Sequence, residues 1–150
     1  MRSLLPIFAF AAVAIAAPIP KSMRNARPSI DGSWKQVSID IDFERSASDG
    51  ITWSFDTGTG HMSYDTGQPW TSNIGLELSF SEPGEFNTAL EMKDGNGERV
   101  IHRTRYRYGF DGDKLIVACY HGETDRRPDS LEPAEGRFVF VLERIQGAKK

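Results

Sequence analysis

The stretch Arg99-Val100-Ile101-His102-Arg103-Thr104-Arg105-Tyr106-Arg107-Tyr108-Gly109-Phe110-Asp111-Gly112-Asp113-Lys114-Leu115-Ile116-Val117-Ala118-Cys119-Tyr120 decides the fold. Val100, His102, Thr104, Tyr106 and Tyr108 alternate with Arg103, Arg105 and Arg107, the period-two pattern of a strand with one apolar and one wet face. Asp111-Gly112 supplies the positive φ that a tight hairpin needs. The spacing therefore predicts that Leu115–Tyr120 folds back against Arg103–Tyr108.

The same alternation recurs on both sides of this hairpin. Val37, Ile39, Ile41 and Phe43 share one face, with Gln36, Ser38, Asp40 and Asp42 opposite. Ile51, Trp53 and Phe55 form a second strand after Ser48-Asp49-Gly50, and Met62 and Tyr64 a third after Thr57-Gly58-Thr59-Gly60. Ile74, Leu76, Leu78 and Phe80 turn at Glu82-Pro83-Gly84 into Phe86, Thr88, Leu90 and Met92. Asp94-Gly95-Asn96-Gly97 reads as a hairpin turn; it lacks the further acidic positions of a calcium loop. A polar loop, His121–Glu135, leads to Phe138, Phe140 and Leu142 on a last strand. No run of ten residues beyond the first 17 carries helical periodicity. About eight short antiparallel strands, each with one apolar face, predict an all-β domain, and closure into a single up-and-down barrel hides the sheet edges that a sandwich leaves open.

Length and composition agree with one such domain. The chain has 150 residues, enough for a single modest core, and 39% apolar with 11% aromatic residues excludes a disordered chain. Fourteen Gly and eight Pro, dispersed, mark many turns. A net charge of −3 gives no global attraction to nucleic acid or anionic lipid. At the N-terminus, Arg2, the apolar run Leu4–Ala17 and the small-x-small pattern Ala14-Ile15-Ala16 predict a signal peptide over residues 1–16. Its 14 apolar residues, interrupted by Pro6, fall short of the ~20 that span a bilayer, so no membrane anchor is expected after cleavage. The expected destination is periplasmic or secreted. Residues 17–29, with Pro18, Pro20, Pro28, Lys21, Arg24 and Arg27, read as an unstructured basic leader, residues 30–146 as the domain and 147–150 as a disordered tail. One cysteine, Cys119, allows no internal disulfide and sits in an apolar run as a buried side chain.

A further set of residues carries a family resemblance. Gly32-Ser33-Trp34-Lys35-Gln36-Val37-Ser38, then Tyr108-Gly109-Phe110-Asp111-Gly112-Asp113-Lys114-Leu115, Cys119, Arg127-Pro128 and Val141-Leu142-Glu143-Arg144 resemble, in that order, the small exported lipocalin-like domain of unknown function abundant in planctomycete bacteria. The resemblance covers about residues 30–145 and implies a lipocalin-like barrel, not a reaction. The Gly-x-Trp start and late Arg are similar to the lipocalin pattern, which implies that Trp34 and Arg144 close one barrel end, the guanidinium stacked on the indole. Trp34 is out of phase with Val37, Ile39 and Ile41, so a bulge is expected between them.

The functional candidates follow. Trp53, Phe55, Phe80, Phe86, Tyr106, Phe138 and Phe140 are the expected lumen side chains, lining a cavity or filling it. Arg103, Arg105 and Arg107 form a ladder that suits an anion or is simply a solvated outer face; Arg126 and Arg127, outside the ladder, admit the same two readings. His61, His102 and His121 lack metal-ligand spacing, and no serine or carboxylate pair stands out as a nucleophile or acid and base. Neither metal nor cofactor is expected. The sequence thus reads as an exported, non-enzymatic domain binding a small apolar or amphipathic ligand in its lumen. The alternative is an extracytoplasmic interaction module with a packed core, working through its surface.

Overall fold

The computed structural model describes residues 29–48, 50–68, 74–122 and 125–146. The expected signal peptide, nearly all of the basic leader and the C-terminal tail lie outside the described residues. The strands are β1 (Gly32–Ile41), β2 (Glu44–Ala47), β3 (Thr52–Asp56), β4 (His61–Asp65), β5 (Ile74–Phe80), β6 (Glu85–Lys93), β7 (Arg99–Asp111), β8 (Lys114–Tyr120) and β9 (Arg137–Arg144). There is no helix among the described residues. Every neighbouring pair is antiparallel, and β1 pairs with β9 from Trp34–Arg144 to Ile41–Phe138, so β1 and β3–β9 form a closed eight-stranded up-and-down barrel. β2 is an additional short strand on the far half of β1.

Alternation places the core as the sequence predicts in most strands. Trp53 and Phe55, Leu76 and Leu78, Phe86 and Thr88, Leu115 and Val117 are all buried. Three local readings are corrected. First, the β7–β8 hairpin is shifted two residues: Tyr108 faces Val117 and Phe110 faces Leu115, because the strand continues through Gly109 and a two-residue Gly112-Asp113 turn suffices. Gly112 carries the positive φ, 61°, and the even shift keeps every side chain on its expected face.

Second, β1 changes face midway. The expected bulge lies between Gln36 and Ser38, where the β1–β9 register slips. Before it Trp34 and Gln36 are buried, so Gln36 leaves the polar face assigned to it. Third, Ile41 and Phe43 are not buried but 40% and 69% exposed, because β1 runs past the barrel and turns at Asp42-Phe43 into β2. Both turn residues have positive φ, 48° and 71°. That backbone suits Asn-Gly and is strained for phenylalanine. Asp42 Oδ1 holds the turn by accepting from the Gly136 amide at 2.6 Å.

One end of the barrel is sealed. The Trp34 indole is 1% exposed and donates through Nε1 to the Ile30 carbonyl at 2.8 Å. The Arg144 guanidinium lies 4.2 Å from the indole centroid and donates to the carbonyls of Asp31 (2.7 Å) and Ser29 (2.5 Å). Gly32, at φ 107°, passes so close that a Cβ there would sit 3.0 Å from Arg144 Nη1. Arg144→Ala removes the stacked cation and two charge-assisted bonds together, and is expected to lower stability by about 1–3 kcal/mol. An unchanged urea midpoint at unchanged m-value would show that the seal contributes nothing.

Candidate functional site

The lower half of the barrel is solid. Phe86 stacks on Tyr106 at 4.5 Å, Phe55 meets Phe86 edge-on at 5.6 Å, and Trp34 touches Phe110 at 6.2 Å. Above this layer, away from the sealed end, a cavity of about 440 Å³ opens. Gln36, Ile39, Ile51, Trp53, Met62 and Tyr64 line one side; His102, Thr104, Tyr106, Cys119, Phe138 and Phe140 line the other. Its volume lies in the range of small-molecule sites.

The polar groups of the lumen largely satisfy one another. Gln36 Oε1 accepts from Trp53 Nε1 at 2.9 Å, and Gln36 Nε2 donates to Ser48 Oγ at 2.7 Å. The Tyr106 hydroxyl bonds to the Thr88 and Thr104 side chains, and burial pushes its pKa up. Burial likewise pushes the Cys119 thiol up to about 12. At neutral pH both are protonated, so the lumen presents mostly aromatic carbon, a neutral thiol and one amide already engaged.

Of the expected lumen residues, the structure brings Trp53, Tyr106, Phe138 and Phe140 together around the cavity. Phe55 and Phe86 belong to the packed layer beneath it. Phe80 is corrected: at the end of β5 it is 43% exposed, its ring turned against Phe86 and Tyr108 at the rim of the sealed end. Ile39, Met62 and Tyr64 were legible as inward positions by alternation, and Cys119 as a buried member of an apolar run. Gln36 was not, because an amide gives no apolar signal.

The arginine ladder is divided by the loop between β8 and β9, which straps the outer face of β7. Arg107 donates to the Pro128 carbonyl at 2.7 Å and to Glu85 at 2.9 Å. Arg105 reaches Asp125 at 3.3 Å. Arg103 has no partner among the described residues and borders the cavity. Arg127 is not a solvated charge: it pairs with Glu85 at 3.0 Å and donates to the Tyr106 carbonyl (2.6 Å) and Asn87 Oδ1 (2.7 Å), beside a fully buried Pro128. At the end of the strap, buried Arg137 holds Asp129 (2.6 Å) and Ser130 Oγ (2.8 Å). Arg126 and Arg137 flank the Tyr120 ring at 4.6 and 5.4 Å.

His61, His102 and His121 lie on β4, on β7 and after β8. No cluster of three or more His, Cys, Asp or Glu suited to a metal occurs among the described residues. No known family pattern, curated protein or solved structure matches the chain.

Two measurements test this arrangement. Arg127→Met removes one of the three side-chain partners of the Glu85 carboxylate, leaving Arg107 and Ser81, in a site where it is 12% exposed, and frees the Tyr106 carbonyl and Asn87 Oδ1; it is expected to cost about 2–4 kcal/mol, against under ~0.5 kcal/mol for Arg103→Ala. Equal urea midpoints for the two variants would refute the contrast between an engaged Arg127 and an unengaged Arg103. The second concerns acid. Hydrogen bonding and then charge from Arg45 hold the buried Asp40 carboxyl below its ordinary 3.8. A carboxyl lowered in the folded state stabilises above its unfolded pKa and loses that contribution as pH falls through the lowered folded value. Asp40→Asn is therefore expected to flatten the fall in stability below pH ~4, where wild type loses most; parallel acid-unfolding curves would contradict it.

Proposed function

We propose that this chain is an exported, non-enzymatic binder of one small apolar or amphipathic molecule, held in the open half of the barrel. The observation that supports this reading is the aromatic-walled cavity of about 440 Å³ above a solid floor. A lumen whose amide and phenol are already hydrogen-bonded imposes little desolvation cost on an apolar guest, and burial of the guest's surface supplies the affinity. The thiol and phenol facing the lumen are kept protonated, which fits storage or carriage better than bond-making. Export rests on the N-terminal apolar run and its Ala14-Ile15-Ala16 pattern. The alternative, a surface-acting module, draws less support, since Arg105 and Arg107 of the outer stripe are engaged with Asp125, Pro128 and Glu85.

N-phenyl-1-naphthylamine, a neutral apolar fluorophore, is the direct test. Saturable enhancement is expected with wild type. Ile39→Trp, which fills the cavity from a half-buried wall position, is expected to weaken uptake about tenfold or more, with the circular dichroism spectrum unchanged. Absence of saturable uptake by folded wild-type protein would reject the binder.

A further inference from the structure

The barrel wall is split beside the cavity. The β7–β8 ladder ends at Arg107–Ala118. Beyond it β8 stays with β9, through Cys119–Phe138 and Tyr120–Arg137, while β7 stays with β6 as far as Arg99–Lys93. On the far side of this ribbon the β5–β6 ladder ends at Glu77–Ala89. β6 and β7 thus leave the barrel as a two-stranded ribbon, and among the described residues a gap in the strand pairing opens between β7 and the end of β8. The cavity lining includes Arg103 on one lip of that gap and Tyr120 and Gly122 on the other, with His102 just inside.

We propose that this gap is the ligand portal and that the ligand is an aromatic carboxylate, its ring system in the lumen and its anionic group at Arg103. The inference rests on the lumen-binding reading above and adds the chemical class. The ring system follows from the walls: Trp53, Tyr64, Tyr106, Phe138 and Phe140 present flat faces and edges, and the Trp53 and Phe140 centroids are 5.0 Å apart. The anion follows from the ladder. Arg107 and Arg105 are occupied, whereas Arg103 is exposed, carries no partner among the described residues and lies where a guest's polar end must emerge. A guanidinium accepts a carboxylate through two parallel hydrogen bonds. Placing the charge at the lip also leaves it in contact with water, so no ion has to be buried in the aromatic lumen.

The test compares 2-naphthoic acid with its neutral analogue 2-naphthalenemethanol by calorimetric titration at low salt. Wild type is expected to bind the acid about fivefold more tightly than the alcohol, the strength of an exposed but bidentate charge pair. Arg103→Gln is expected to erase that preference while leaving the alcohol's affinity unchanged; Arg105→Gln is expected to preserve it. High salt should reduce the acid's advantage. Equal binding of acid and alcohol by wild type, or an acid preference that survives Arg103→Gln, overturns the portal assignment and leaves the lumen reading standing. Failure of both compounds to bind overturns the two together.

Discussion

Pairing of the first strand with the last is the constraint on which the rest of this structure depends. β1 and β9 meet along their length, and only a bulge lets one strand serve two halves of the barrel. Below the bulge, β1 sends Trp34 inward beneath Arg144; above it, Ile39 reaches the cavity wall. Without the slip between Gln36 and Ser38, the strand that plugs the lower end would turn its polar residues toward the upper half. Closure also leaves no edge among β1 and β3–β9 over the sealed half, which suits a chain with one cysteine and no internal disulfide to stabilise it.

The two halves then differ for a packing reason. In the lower half large side chains from opposite walls meet: Phe86 on Tyr106, Phe55 on Phe86, Trp34 against Phe110, with Leu115 and Leu142 fully buried between them. In the upper half the ribbon of β6 and β7 departs, with Leu90 and His102 in register on it and His102 at the edge of the cavity. The remaining walls cannot meet across the gap, so a space persists. Rings such as Phe138 and Phe140 stay half-exposed to it.

How much of this was legible in the sequence depends on the range of the interaction. Alternation is local, so strands, inward faces and turns could be read from it; even the bulge announced itself, as Trp34 out of phase with Ile39. The β7–β8 register slipped by two because period-two patterns look the same after an even shift. Gln36 and Arg127 were misread for a different reason. Each is a polar residue whose burial depends on a distant partner, Trp53 for the amide and Glu85 for the guanidinium, and nothing near either residue in the chain signals that partner. Phe80 shows the converse. Its apolar character and phase were right, but it stands at the last position of β5, where the barrel ends. The cavity is least legible of all, since it is set by which rings fail to meet.

The loop after β8 gives the split its physical sense. Residues 125–128 cross the outside of β7 and fix it at Arg105, Arg107 and the Tyr106 carbonyl, on the sealed side of Arg103. Leu131 continues the cover over Gly109, where a Cβ would stand 2.8 Å from its methyl. From Arg107 toward Asp111, then, β7 is held by β8 within the wall and by the strap outside it. From Arg103 toward Arg99 its one ladder partner among the described residues is β6. An antiparallel pair without further neighbours is marginal in water, so stability along this one strand falls across the boundary between Arg103 and Tyr106. The rigid part of β7 supplies the floor of the cavity and the less supported part its rim.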